Sequence, residues 1–238
     1  MNDKIELLKK LIEESNNIVF FGGAGVSTES GIPDFRSKDG LYNQKYKYPP
    51  EKILSYTFFI NNTDEFYEFY KSKMNSLNYE PNITHRKLTK LEQNGKLKAI
   101  VTQNIDGLHQ KANSNNVLEL HGSVLRNYCM KCNKFYGPEY IFNSTGVPKC
   151  ECGGIIKPDV VLYEEGLDNN IMMKSINAIR NADLMIVAGT SLTVQPASGL
   201  INYFKGKNLV LINKDSTPYD KIANLVINSS LGTVFKQI

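Results

Sequence analysis

Four cysteines carry the plainest chemistry in this chain. Cys129 and Cys132 form a Cys-x2-Cys pair, seventeen residues follow, and Cys150 and Cys152 form a Cys-x-Cys pair. Two close pairs across a short excursion describe a four-thiolate zinc ribbon, although the second pair is one residue tighter than the usual spacing. All four ligands are protein thiolates, so no position stays open for water and the metal is structural rather than a Lewis acid. Zinc thiolate binding contributes roughly 10–16 kcal/mol to the folding of such a module. The cysteines fall in one short segment and leave none for a disulfide framework, which fits a reducing compartment. Lys131, Lys134 and Lys149 are too few to make the ribbon a nucleic-acid reader.

A second constellation lies near the start. Ile18-Val-Phe-Phe runs into Gly22-Gly23-Ala24-Gly25-Val26-Ser27-Thr28, then into Gly31-Ile32-Pro33-Asp34-Phe35-Arg36. Glycines let backbone N–H groups approach a pyrophosphate, and a helix N-terminus adds partial positive charge. The sequence predicts a short helix after the turn, stopped by Gly31 and Pro33. The hydride-transfer fingerprint needs a third glycine where Thr28 stands, and an acidic residue about 20 positions on at the end of a second strand. Neither occurs. The stretch reads as a dinucleotide site, but not as that of an ordinary dehydrogenase.

The elements that would position these groups alternate in type. An amphipathic helix over about 3–14 places Ile5, Leu8 and Ile12 on one face, and strand 18–21 follows. Helical segments over about 51–77 are rich in Phe and Tyr. Thr63 or Asp64 is a candidate cap there, with Phe66, Phe69 and Tyr70 inward. A helix from Thr84 stops at Gly95. Strand 97–102 runs into Gln103-Asn104-Ile105-Asp106, and strand 117–120 into His121-Gly122. Residues 128–156 interrupt the pattern with Cys, Lys, Gly and Pro. It resumes with strand 159–163, a helix over about 168–180 and strand 184–188. That strand runs into Gly189-Thr190-Ser191. A helix near Pro196, strand 209–212 ending at Asn213-Lys214, and strand 225–227 complete the chain. Apolar strands alternating with amphipathic helices predict an α/β fold with a doubly wound parallel sheet. Polar residues just past the carboxyl ends of three strands predict one shared crevice.

The 238 residues suit one large domain with an inserted module, and 41% apolar content is that of a globular protein. Net charge is +4 without a long run of like charges, which argues against a nucleic-acid tail. The first twelve residues lack the apolar core of a signal peptide and the length of a membrane span, which predicts a cytoplasmic protein with no membrane partner. Nothing resembles coiled-coil heptads, so a monomer is expected.

Taken together, these motifs resemble the bacterial-type sirtuins, NAD-dependent protein-lysine deacetylases (deacylases) of the transferase class. The resemblance spans nearly the whole chain, with the motifs in the family's order. It implies a Rossmann-like NAD-binding domain (1–36, 81–122 and 157–238) and a smaller domain. The smaller one joins a helical part with a cofactor loop (37–80) to the zinc ribbon (123–156). It implies NAD as cosubstrate and one structural Zn2+. The NAD residues would be Gly23, Ala24, Gly25, Thr28, Asp34, Phe35, Arg36, Gln103, Asn104, Ile105, Asp106, His121, Gly189, Thr190, Ser191, Asn213, Lys214 and Leu231. Ala24 and Thr28 would take the pyrophosphate, Phe35 the nicotinamide side, and Arg36 a phosphate or ribose. Gln103 would hold the nicotinamide ribose, and Ile105 and Asp106 the carboxamide. Thr190 and Ser191 would take phosphate, Asn213 and Lys214 the adenosine ribose, and the backbone near Leu231 the adenine.

His121 would be the general base, suited to it by an ordinary pKa near 6.5. The acyl carbonyl oxygen would displace nicotinamide from the ribose. A His121-assisted 2′-hydroxyl would then attack the imidate, and water would release free lysine and O-acyl-ADP-ribose. The acyl-lysine protein would bind as an added strand beside Val161, Tyr163, Val194 and Gln195. Many members carry Phe-Gly-Glu where this chain has Tyr163-Glu164-Glu165. Members that favour succinyl groups carry Tyr-x-x-Arg where this chain has Tyr70-Lys71-Ser72-Lys73, so deacetylation is expected ahead of desuccinylation. Mono-ADP-ribosyl transfer and a non-catalytic NAD sensor are the alternatives. His85 and His109 are expected to pack or hydrogen-bond rather than to react.

Overall fold

A computed structural model describes residues 1–35 and 40–238. In chain order the elements begin with α1 (Asn2–Glu14), β1 (Ile18–Gly22), α2 (Pro50–Ile53), α3 (Tyr56–Asn61) and α4 (Thr63–Lys73). Next come α5 (Ile83–Gln93), β2 (Leu97–Thr102), α6 (Leu108–Lys111), β3 (Val117–Glu119), β4 (Gly122–Cys129) and β5 (Phe135–Tyr136). The remainder is α7 (Pro138–Phe142), β6 (Ile156–Val160), α8 (Asn169–Asn181), β7 (Leu184–Ala188), β8 (Asn208–Asn213), β9 (Leu225–Asn228) and α9 (Leu231–Phe235).

Six parallel strands form the large sheet in the order β3-β2-β1-β7-β8-β9. Its central strands are apolar throughout because both faces are covered. Along β1, Ile18 and Phe20 pack into a core shared with α1, α5 and α9, while Val19 and Phe21 pack into one shared with α8 and residues 197–203. That period of two is the strand's own geometry. The chain leaves β1 toward β2 and β3 on one side and takes β7, β8 and β9 on the other. The crevice at the carboxyl end of β1 is therefore the topological switch point.

A three-stranded antiparallel sheet, β5-β4-β6, forms the second unit with α2, α3, α4 and α7. Its core is aromatic. Phe59, Phe66, Tyr67 and Tyr70 are all below 2% exposed, and the Tyr67 hydroxyl donates to the Ile156 carbonyl. Ser55 caps α3 by accepting from the Phe58 N–H, and Asp168 caps α8 by accepting from the Ile171 N–H at 2.8 Å.

Four elements differ from the sequence expectation. The strand expected over 159–163 forms at Ile156–Val160 and pairs antiparallel with β4, so it belongs to the small sheet. The glycine-rich turn opens two short 3-10 turns, Ala24–Val26 and Thr28–Ser30, in place of a helix. Gly31 at φ +96° ends them before a full α-turn closes. The helix near Pro196 is a 3-10 segment, Ala197–Tyr203. The cap of α4 is Asn62, which makes no side-chain cap bond, rather than Thr63 or Asp64. No helix among the described residues is long and apolar enough to cross a membrane.

Candidate functional site

A cleft of 860 Å³ opens at the switch point. Its nucleotide end is built by two interlocked glycine loops. The Gly25 N–H donates to the Gly189 carbonyl at 2.8 Å, and a Cβ on Gly25 would lie 2.7 Å from the Gly189 Cα. Gly189 itself sits at φ +61°, where side chains are strained. Only bare backbone lets the loops after β1 and β7 touch. Thr28 Oγ1 donates to the Gly25 carbonyl within the first loop, and neighbouring loops are cross-tied by Gln103 Nε2 to Thr190 Oγ1 at 3.0 Å and by the Thr190 N–H to Asn213 Oδ1 at 2.9 Å. Asn213 keeps a buried Nδ2 in the cleft wall that has no partner among the described residues. A buried donor without a partner is costly, and a ribose or phosphate oxygen satisfies it. Gly23, Ala24, Gly25, Thr28, Gly189, Thr190, Ser191, Asn213, Lys214 and Leu231 all line this end. These features fit a dinucleotide.

The centre of the cleft holds Asp34, Phe35, Gln103, Asn104, Ile105, Asp106 and His121. Arg36 lies outside the described residues. His121 Nδ1 lies 3.0 Å from the Gln103 carbonyl oxygen. A carbonyl only accepts, so the proton sits on Nδ1 and Nε2 carries the lone pair. Burial pushes the imidazole below its usual 6.5, against the Gln103 bond that raises it. His121 is therefore neutral at neutral pH, with one basic nitrogen. Asp106 receives the Ser27 hydroxyl at 2.6 Å and the Leu108 N–H at 2.9 Å, while Asn104 Nδ2 donates to the same Ser27 oxygen. Burial still pushes the Asp106 carboxyl above the ordinary value.

The far end is the seam between the two units. The Val161 N–H donates to the His121 carbonyl at 3.0 Å, which sets Val161 beside the histidine. Gly122 must follow His121 here: at φ +73°, a Cβ would lie 1.9 Å from the Asp159 carbonyl oxygen. Arg126 braces the same corner from β4 by pairing with Glu119 and Asp159, each at 2.7 Å. Val161, Tyr163, Val194, Gln195 and Tyr70 all line the cleft. Tyr163 exchanges two backbone bonds with Leu54 and Tyr56, and its hydroxyl meets that of Tyr42. Glu164, expected from the resemblance to replace a glycine, takes a glycine-like φ of +77°. Its carboxylate accepts the Thr57 N–H at 2.9 Å in the first turn of α3, which offsets the backbone strain.

The four cysteine sulfurs lie within 4.8 Å of one another, at the ends of β4 and β6. Three of their separations are 3.4–3.5 Å. A tetrahedron with Zn–S bonds of about 2.3 Å has edges of about 3.8 Å, so the set fits one zinc ion. The Tyr136 hydroxyl and the Lys131 N–H donate to Cys150 and Cys129, as outer donors do at thiolate sites.

His85 and His109 do not reach the cleft. Both are buried, with ring centroids 4.8 Å apart. The sequence reading missed the segment 74–82, of which Met74, Asn75, Ser76 and Tyr79 line the cleft. Asn82 had a readable signal, a cap residue one step before an apolar-periodic helix. Ser76 had none.

A model of the Sir2 family matches residues 23–196. Proteins named NAD-dependent protein deacetylase in Clostridium acetobutylicum and Clostridium perfringens are 61% and 62% identical to this chain. The alignments cover 99% and 100% of it, and 98% and 99% of those proteins. A solved Sir2 structure with a p53 peptide and NAD+ superposes with TM-score 0.87 at 39% identity, over 98% of this chain and 96% of that one. A Sir2 variant with a deacetylated p53 peptide and 3′-O-acetyl-ADP-ribose gives 0.91 at 38% identity, with the same coverage. The chain belongs to the Sir2 family.

Proposed function

We propose that the chain is an NAD-dependent protein deacetylase with His121 as its general base. The observation that carries this reading is the His121–Gln103 bond, which leaves one basic imidazole nitrogen on the wall of a dinucleotide-sized cleft. The glycine loops bind the pyrophosphate. Gln103, Ile105 and Asp106 orient the nicotinamide end, and Phe35 screens it from water. Val161, Tyr163, Val194 and Gln195 hold the peptide as an added strand. His121 Nε2 then takes a proton from a ribose hydroxyl of the substrate, a service worth about 10²–10⁴ in rate. The zinc cluster, when loaded, supplies folding energy to the small unit and no chemistry.

The test is nicotinamide release from NAD with and without an acetyl-lysine peptide. The deacetylase reading expects peptide-dependent release with acetyl-ADP-ribose as co-product. Release indifferent to peptide favours ADP-ribosyl transfer, and NAD binding without release favours a sensor.

One observation favours a secondary acyl specificity. Lys73 lines the cleft one helical turn from Tyr70, whose buried hydroxyl has no hydrogen-bond partner among the described residues. An acyl carboxylate would suit both, although Lys offers a point charge without the fork of Arg. Acetyl remains the first substrate, and equal or faster turnover of a succinyl-lysine peptide reverses that order. We divide the chain into a large NAD-binding unit (1–36, 81–122 and 157–238) and a small unit with a helical part (37–80) and a ribbon part (123–156), the strands of the small sheet running from 122 to 160. We place the enzyme in the cytoplasm as a monomer that binds no nucleic acid.

A further inference from the structure

Residues 74–82 leave the small unit's α4 and enter α5 of the large unit, and Met74, Asn75, Ser76 and Tyr79 line the cleft on the way. Side-chain ties made by Ser76, Lys111 and Asn82 fasten this strap to the two walls of the nicotinamide end. The buried Ser76 hydroxyl donates to the Asp106 carbonyl at 2.9 Å. Lys111 Nζ, from α6 just beyond Asp106, donates to the Tyr79 carbonyl at 2.8 Å. At the other wall, Asn82 Nδ2 donates to the Val26 carbonyl at 2.8 Å and to Ser30 Oγ at 3.0 Å, both on the 3-10 turns after β1. Asp106 is thus held from three directions: Ser27 and Leu108 fix its carboxylate, and Ser76 fixes its backbone.

We propose that Ser76 is a positioning residue for the nicotinamide end of the site, acting from the strap through the Asp106 backbone. Without its hydroxyl, a buried carbonyl loses its partner. The 105–107 turn then relaxes away from the strap, and the Asp106 carboxylate leaves the carboxamide position. The inference rests on Asp106 reading the nicotinamide carboxamide, as assigned above. It also ties the nicotinamide pocket to the helix that carries Tyr70 and Lys73, because the same strap continues α4.

The test compares native enzyme, Ser76→Ala, Ser76→Thr and Lys111→Met in nicotinamide inhibition, in KM for the acetyl-lysine peptide, and in melting temperature. Loss of one buried hydrogen bond predicts a roughly three- to tenfold weaker nicotinamide inhibition constant for Ser76→Ala, with peptide KM within about twofold of native. Ser76→Thr keeps the hydroxyl and restores the constant toward native. Lys111→Met alters an exposed strap tie, folds without a buried defect, and moves the constant in the same direction by less. Unchanged nicotinamide inhibition in Ser76→Ala and Lys111→Met overturns the role. So does a change that scales equally with peptide KM and melting temperature, which marks a merely structural residue. If native enzyme releases no nicotinamide at all, the reading of the whole site fails first and takes this role with it.

Discussion

His85 and His109 give the account a sharp stability prediction. His85 is 0% exposed, and its Nδ1 accepts the Asn82 N–H in the capping box of α5, so its proton sits on Nε2, which is buried with no partner among the described residues. Burial pulls its pKa from 6.5 down to about 4. The unfolded chain therefore binds a proton that the folded chain refuses, and stability rises with pH between those values. It is complete above about pH 6.5 and is lost as pH falls toward about 4. The shift integrates to about 2 kcal/mol of lost stability at pH 5 relative to pH 8 from His85 alone. His109, pushed down by burial and by its neighbour, adds to the same limb. The variant is His85→Gln, whose amide oxygen can take over the cap bond but cannot titrate. Urea unfolding of both proteins at pH 8 and pH 5 should show the native chain losing about 2 kcal/mol more than the variant. Both carry the same thiolate cluster, so acid loss of zinc cancels in the difference. Equal losses would refute the claim that His85 is held neutral by burial.

Three other outcomes follow from the site. Because His121 is needed neutral and lies below its ordinary pKa, the acid limb of kcat/KM should fall below pH 6.5; a limb above 7 contradicts the assignment. The purified protein should hold about one zinc per chain. Chelation should melt the small unit and abolish activity, and added zinc should restore it; a fully active metal-free protein removes the structural role. Glu164→Ala keeps the left-handed backbone and loses the Thr57 bond, whereas Glu164→Gly loses the bond and relieves the strain. Alanine should therefore unfold at a lower temperature than glycine, and the reverse order in calorimetry would deny the strain.

The parallel sheet was legible because its strands are buried on both faces. Ile18–Phe21 and Leu184–Ala188 read as continuous apolar runs between polar ends, and the runs became β1 and β7. The polar residues past β1, β2 and β7 converge on one cleft, as strand ends at a switch point must. The small sheet was not legible. β4 interrupts any apolar alternation with Arg126, which forms ion pairs, and Asn127, which is buried and hydrogen-bonded. β6 reads like one more parallel strand until its antiparallel partner is known. The 3-10 turns after β1 depend on the contact with Gly189, a residue more than 160 positions away. Long-range backbone contacts of that kind leave no local pattern. The same holds for Ser76, whose role comes from where the strap crosses and not from its own type.

The most direct test of the central claim is a single-turnover reaction of His121→Ala beside native enzyme, with NAD and an acetyl-lysine peptide. The account predicts that the variant still binds NAD and still exchanges nicotinamide in a peptide-dependent way, while formation of free lysine falls by about 10²-fold or more. Native-like formation of free lysine by His121→Ala would contradict it.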